Sequence, residues 1–174
     1  MTARHQGRHL GTAALALGVA GVDQLVKLAV HLSLPYGAMV PVIPGLFNLT
    51  HIQNPGAAFG LLAGVAAWVR LPLLIGLSVV ALGFLFYLYR QLASHGRMPR
   101  MALALILGGA LGNLYERVLW GAVVDYLDVF LGPYHWPAFN LADAAITVGI
   151  GLLALSTFRP PSGLDASHGK PPWN

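Results

Sequence analysis

The chain has 174 residues, of which 56% are hydrophobic and only 9% are charged, and its mean hydropathy is +0.67. Soluble domains carry roughly 25% charged residues, so this composition excludes an ordinary water-soluble protein. The absence of cysteine excludes disulfides, a thiol nucleophile and cysteine-ligated metals. A net charge of +4 would suit a nucleic-acid partner, but the basic residues cluster at the ends of apolar runs, so none is expected.

Four apolar runs approach the roughly 20 residues that a membrane-spanning helix needs. They cover about residues 10–30, 68–89, 98–120 and 139–158. These runs predict an all-α membrane protein with four transmembrane helices, folded as a single domain over residues 1–160. The Pro- and Gly-rich stretch 161–174 is expected to be a flexible cytoplasmic tail.

The first run has a second interpretation as a cleavable signal peptide. Arg4 and Arg8 precede it, and small residues surround Ala20 and Gly21, as at a cleavage site. The apolar residues resume beyond Asp23, which favours a retained membrane anchor.

The segment from about 34 to 66 has the pattern of strands, not of a helix. The stretches VPVIPG and FNLTHIQ are short, rich in β-branched residues and partly alternating, and NPG at 54–56 marks a turn. We therefore expect this segment to form a small extracytoplasmic β-sheet on the membrane surface.

Basic residues set the expected orientation, because short cytoplasmic loops retain lysine and arginine. They lie near both ends of the chain and between the second and third runs, at Arg4, Arg8, Arg90, Arg97, Arg100, Arg159 and Lys170. Both termini are thus expected in the cytoplasm, with residues 31–67 and 121–138 outside.

This orientation brings five of the six acidic residues into one layer, where the membrane meets external water. They are Asp23, Glu116, Asp125, Asp128 and Asp143. Asp143 would lie roughly 5–10 Å below the outer boundary, at 1.5 Å per helical residue. Ionisable groups are costly inside a membrane, so they usually have a partner or a function there.

Helical spacing offers a purely structural explanation for some of these residues. Asp23 and Lys27 are four residues apart and would form an ion pair on one helix face. Glu116 and Arg117 would anchor the third helix at the interface, and Asn113 shares the face of Arg117. For the five residues named in this paragraph, both a structural and a functional role stay open.

The start of the fourth run has both a structural and a catalytic interpretation. Asn140 followed by Asp143 matches a helix capping box. Alternatively, two neighbouring carboxylates cannot both ionise cheaply, so one keeps a proton while the other acts as a base, as peptide hydrolysis requires. Asp143 would pair with Asp125 or with Asp128, and spacing does not choose between them. The histidines have no zinc-ligand spacing.

Four blocks of the sequence resemble lipoprotein signal peptidase, also called signal peptidase II, a family of bacterial aspartyl membrane peptidases. The blocks are VDQLVK (22–27), NPGAAFGLL (54–62), GGALGNLYERVLWGAVVDYLDVF (108–130) and WPAFNLADAAI (136–146). They occur in the family's order. The family usually has NLxDR where this chain has NLYER, so Glu116 replaces an aspartate by a longer acid.

The resemblance implies a role for each matched residue. Asp125 and Asp143 would be the catalytic aspartates. The supporting and substrate-binding residues would be Asn54, Gly56, Asn113, Arg117, Asn140, Asp23, Lys27 and Glu116.

The resemblance also implies the reaction and its setting. The enzyme would remove signal peptides from diacylglyceryl-modified prolipoproteins, cutting before the lipidated cysteine, without a metal or other cofactor. Prolipoproteins and membrane lipids would be its partners. It is expected to act as a monomer in the bacterial inner membrane, with the active site toward the outer leaflet.

Other function classes fit the sequence less well. A proton- or ion-coupled transporter places its carboxylates near the midplane and often has inverted repeats, whereas these acids lie at one face and no repeat is seen. A Ser–Lys peptidase would use Lys27, but its nearest serine, Ser33, is in no recognisable motif. A purely structural subunit would not need the acidic cluster.

Overall fold

The computed structural model describes residues 3–56, 61–62 and 64–158. It contains four helices: α1 (Ala3–Ser33), α2 (Ala67–Leu92), α3 (Arg97–Trp120) and α4 (Leu141–Thr157). Four strands complete it: β1 (Met39–Ile43), β2 (Phe47–Asn54), β3 (Val123–Leu131) and β4 (Tyr134–His135). The predicted tail 161–174, together with Arg159, Asp165 and Lys170, lies outside the described residues.

The predicted combination of membrane helices with a small β-sheet is confirmed, and the sheet is antiparallel. Within the described residues, three helical segments are long and apolar enough to cross a membrane, at Gly7–Ser33, Ala67–Leu92 and Arg97–Trp120. The fourth helix is apolar but has only 17 residues. At 1.5 Å per residue it is about 25 Å long, against the roughly 30 Å of a hydrocarbon core. A fourth span therefore stays a prediction.

Helix α3 is the central helix, and glycines allow its neighbours to approach closely. A Cβ added to Gly108 would lie 2.5 Å from the carbonyl oxygen of Ala16 in α1. A Cβ on Gly149 of α4 would lie 2.7 Å from the carbonyl oxygen of Ala102 in α3. Such close backbone packing is typical of small residues between membrane helices. It brings the polar residues of α1, α3 and α4 within reach of one another.

The sheet is larger than the sequence predicted. Its four strands lie in the order β1-β2-β3-β4, and every neighbouring pair is antiparallel. The predicted sheet segment 34–66 supplies only β1 and β2, and its strands end at Asn54. Residues 121–138, for which the sequence pattern predicted no strand, supply the other two strands. The two aspartates in VVDYLDVFL have low strand propensity, which pairing with β2 overrides.

Two local features set the position of β3 relative to the helices. Gly121 ends α3 in the left-handed conformation, at φ 71°, so the chain turns directly into the strand. In the middle of the strand, the backbone N–H groups of Tyr126 and Leu127 both donate to the carbonyl oxygen of Phe139, just before α4. The strand thus joins the C-terminal end of α3 to the start of α4.

Candidate active site

Asp125 lies in β3 and is almost fully buried, at 2% exposure. Each carboxylate oxygen accepts one hydrogen bond from an asparagine: Asn54 Nδ2 donates at 3.0 Å and Asn140 Nδ2 donates at 2.7 Å. The pKa of Asp125 is raised to about 6: burial is the main cause and the negative charge of Asp143 adds to it, while the two amide donors oppose the shift. Asp125 is thus held rigidly and retains a proton more readily than an exposed aspartate.

Asp143 lies in the first turn of α4, where Asn140 is the N-cap. The Asn140 side chain accepts from the backbone N–H of Asp143 at 2.9 Å, and the Asp143 carboxylate accepts from the backbone N–H of Asn140 at 3.4 Å. This is a capping box, so the structural interpretation of the pair is confirmed. The other carboxylate oxygen accepts a 2.7 Å bond from Asn113 of α3.

Asn140 connects the two aspartates. Its amide nitrogen donates to Asp125, while its carbonyl oxygen caps the helix at Asp143. The side chain is fully buried, at 0% exposure. One rigid amide therefore fixes both carboxylates, and its capping and positioning roles coexist.

Lys27 is the centre of a buried ionic cluster next to this pair. Its ammonium group lies 2.9 Å from Asp23 and 2.8 Å from Glu116, and it donates to Asn113 Oδ1 at 3.0 Å. All four side chains are buried, and each is 5% exposed or less. Lys27 uses its three N–H donors on three acceptors, which satisfies the charge that burial would otherwise penalise.

The two acids of the cluster also hold backbone groups of other elements. Asp23 accepts from the N–H of Ala142 in α4 at 3.0 Å. Glu116 accepts from the N–H of Val124 in β3 at 3.2 Å. The longer arm of Glu116 thus reaches both Lys27 and the strand that carries Asp125.

Arg117 lies near the pair but binds neither carboxylate through a hydrogen bond. Its guanidinium donates at 3.4 Å to the carbonyl oxygens of Asn113 and Gly56. Gly56 in turn donates its N–H to Asn54 Oδ1 at 2.9 Å, which fixes the amide that faces Asp125. Within the described part of the chain, the buried Nε of Arg117 has no hydrogen-bond partner.

Both aspartates open onto one cavity of about 600 Å³ between α3, α4 and β3. Asn54 and Arg117 also line it, together with apolar side chains: Val123, Trp136, Pro137, Ala138, Phe139, Ala144, Ile146 and Val148. The cavity is polar at the carboxylates and apolar along the helix. All ten residues predicted for the site thus lie in one connected network or on its edge.

Asp128, the other candidate partner for Asp143, has a different environment. It accepts from Asn48 Nδ2 at 2.8 Å, and its other carboxylate oxygen lies within hydrogen-bond distance of His135 Nδ1, at 2.8 Å. It does not line the cavity of the two aspartates. Its contacts join β2, β3 and β4, which indicates a role in the sheet.

Two contributing residues were not predicted. Gln24 donates to Asp23 and to the carbonyl oxygen of Gly112, and the Tyr126 hydroxyl accepts from the N–H of Leu141. Both lie within the sequence blocks quoted above, but neither has a charge or a spacing that distinguishes it. Among the described residues, no three His, Cys, Asp or Glu side chains are grouped as metal ligands would be.

Comparison with known proteins identifies relatives across most of the chain. Residues 15–159 match the family model for signal peptidase (SPase) II. A lipoprotein signal peptidase of Geobacter sulfurreducens is 47% identical over 146 residues, covering 84% of this chain and 90% of that protein. One from Burkholderia thailandensis is 48% identical over 141 residues, covering 81% and 83% respectively. A solved structure described as a bacterial membrane enzyme has a TM-score of 0.78 at 29% identity and covers 92% of this chain and 94% of that one.

Proposed function

The chain belongs to the signal peptidase II family, and from that premise we propose that Asp125 and Asp143 are the acid–base pair with which it removes signal peptides from prolipoproteins. The enzyme is an aspartic endopeptidase. The observation that carries the assignment of the pair is the Asn140 side chain, which contacts both residues at the wall of one cavity. Asp128 has no contact of this kind.

The environments of the two carboxylates suggest separate roles in hydrolysis. Asp143 acts as the base: it removes a proton from a water molecule held between the carboxylates, and that water attacks the scissile carbonyl carbon. Asp125, whose pKa is raised to about 6, carries the proton that is delivered to the leaving nitrogen as the C–N bond breaks. Asn54, Asn113 and Asn140 hold the carboxylates in place throughout.

The walls of the cavity suit the substrate that we propose. Trp136, Phe139, Ile146 and Val148 form an apolar surface beside the aspartates. The substrate carries two apolar parts, the signal helix and the acyl chains of the diacylglyceryl cysteine. Both would be stabilised by burying their hydrocarbon against this surface. The scissile bond before the lipidated cysteine would then lie at the polar end of the cavity, against Asp125 and Asp143.

The proposed setting is the bacterial inner membrane, with the protein as a monomer. We infer four spans in a single domain over residues 1–160, both termini in the cytoplasm and the aspartates toward the outer leaflet. The distribution of basic residues supports the orientation. The exposed apolar side chains Val148, Ile150 and Leu155 support α4 as a lipid-facing fourth span.

A gel-shift assay tests the proposed function. A diacylglyceryl-modified prolipoprotein in detergent would be mixed with the wild type or with Asp143→Asn, and loss of the signal peptide would be followed by the change in mobility. We expect cleavage by the wild type only, and no cleavage of the same precursor without its lipid. Cleavage by Asp143→Asn at the wild-type rate would refute the assignment of the pair.

A further inference from the structure

A second cavity of about 600 Å³ lies at the other end of the helices, far from the aspartates. It is formed where the first turns of α1, the last turns of α2 and the start of α3 meet. His9 of α1 and Tyr89 of α2 are joined there by a hydrogen bond of 2.5 Å, with their rings edge to face. Nothing in the proposed cleavage reaction uses this cavity.

Three arginines give the cavity a strong positive charge. Arg8, Arg90 and Arg100 line it, one from each helix, and none of the described residues that line it is acidic. Arg100 donates one N–H to the carbonyl oxygen of Ala93 at 3.1 Å, which leaves its other donors available. In the part of the chain that the structure describes, the side chains of Arg8 and Arg90 make no hydrogen bond or ion pair. Three guanidinium groups from separate helices thus face one space without a counter-ion.

The cavity continues from this charged rim onto an apolar wall. Ala13, Ala16, Phe86 and Leu107 line that part. A free anion such as inorganic phosphate would contact only the rim. A ligand with an anionic head and a hydrocarbon chain would contact both parts.

The geometry points to a binding site for an anionic phospholipid in this cavity. The phosphodiester binds Arg8, Arg90 and Arg100, because guanidinium groups recognise phosphate oxygens with paired N–H donors. An acyl chain lies along Ala13, Phe86 and Leu107. Basic pockets between membrane helices bind such headgroups, and each arginine raises the affinity for an anionic lipid by about fivefold. In the orientation proposed above, the lipid belongs to the cytoplasmic leaflet.

Native mass spectrometry of the intact protein in a non-ionic detergent tests this site. The delipidated protein would be titrated with dioleoylphosphatidylglycerol or with dioleoylphosphatidylcholine. We expect one phosphatidylglycerol to bind much more tightly than phosphatidylcholine. Arg8→Gln with Arg90→Gln should weaken that binding by about 25-fold, from two steps of about fivefold. Arg97→Gln is the matched control, because Arg97 lies at the same end but does not line the cavity.

A second variant distinguishes a lipid from a free anion. Ala13→Phe fills the apolar part while all three arginines remain. It should abolish phosphatidylglycerol binding and leave the weak binding of inorganic phosphate unchanged. The proposal would be overturned if phosphatidylcholine bound equally well, if Arg97→Gln had the effect of the double variant, or if Ala13→Phe had none.

Discussion

Lys27 determines which end of the Asn113 side chain faces the active site. Its ammonium group donates to Asn113 Oδ1 at 3.0 Å, so the amide nitrogen of Asn113 is turned toward Asp143, to which it donates at 2.7 Å. An ammonium group is a donor only, and this contact therefore permits one of the two amide orientations. A buried cation on α1 thus orients a group on α3 that contacts a carboxylate on α4.

Replacement of Lys27 by methionine should cost both stability and activity. The neutral side chain leaves Asp23 and Glu116 buried without a counter-ion, and breaking a buried ion pair in this way costs about 3–5 kcal/mol. Thermal unfolding in detergent would measure the loss. The matched variant Lys27→Met with Glu116→Gln removes one of the unpaired acids and should recover part of the stability. Equal stability of Lys27→Met and the wild type would contradict a cluster in which a charged Lys27 neutralises Asp23 and Glu116.

Replacement by asparagine should abolish activity at Asp125 and at Asp143 but not at Asp128. Asp125→Asn and Asp143→Asn are nearly isosteric but supply neither acid nor base, so each should lower kcat/KM by at least about a hundredfold. Asp128→Asn is the control, since that residue contacts Asn48 and His135 and not the cavity. It should retain substantial activity. Complete loss in all three variants, with all three folded, would argue against Asp125 as the partner of Asp143.

The pH dependence of cleavage should reflect the raised pKa of Asp125. Burial brings that pKa from 3.8 to about 6, so the protonated acid becomes scarce above pH 6. A plot of log kcat/KM against pH should therefore turn downward near pH 6, with a slope that approaches one decade per unit. A rate that stays constant from pH 6 to pH 9 would exclude Asp125 as the proton donor.

The same group makes stability depend on pH in a defined direction. Because the pKa of Asp125 is higher in the folded protein than in the unfolded chain, the folded state binds more protons between about pH 4 and 6. Its contribution is complete below pH 4 and is lost as the pH rises through 6, by up to about 3 kcal/mol. In Asp125→Asn this contribution should be lost, so the unfolding midpoint should fall less steeply across that pH range than in the wild type.

The sequence placed the candidate site residues in four separate blocks, but it did not predict the full sheet around them. Local spacing predicts the Asp23–Lys27 ion pair and the Asn140–Asp143 capping box. The contacts of Lys27 with Glu116 and Asn113 join α1 to α3, so they do not follow from local spacing. Asp125 and Asn54 are 71 positions apart, and their contact depends on the pairing of β2 with β3, which no local pattern reveals. The hydrogen bond from the N–H of Val124 to the Glu116 carboxylate likewise could not be predicted from the sequence.

The orientation in the membrane should follow the basic residues. A reporter fused at position 95, between α2 and α3, should be cytoplasmic, and one fused at position 132, between β3 and β4, should be external. Paired alkaline phosphatase and green fluorescent protein fusions would give opposite signals at the two positions. A cytoplasmic signal at position 132 would place the aspartates on the wrong side of the membrane for an exported substrate.

Arg117 should resist replacement by lysine, although the charge is preserved. Its guanidinium reaches the carbonyl oxygens of Gly56 and Asn113 at the same time, and Gly56 in turn fixes the Asn54 amide that binds Asp125. An ammonium group has one nitrogen and cannot span both carbonyls in the planar geometry of a guanidinium.

Arg117→Lys should therefore lower kcat by about tenfold or more, while the unfolding temperature changes little because the positive charge remains. Arg97→Lys is a suitable control, since Arg97 lies at the opposite end of α3 and does not line the cavity. If Arg117→Lys instead turned over at the wild-type rate, the arginine would serve to anchor α3 at the membrane surface, and the Gly56 contact would not matter for catalysis.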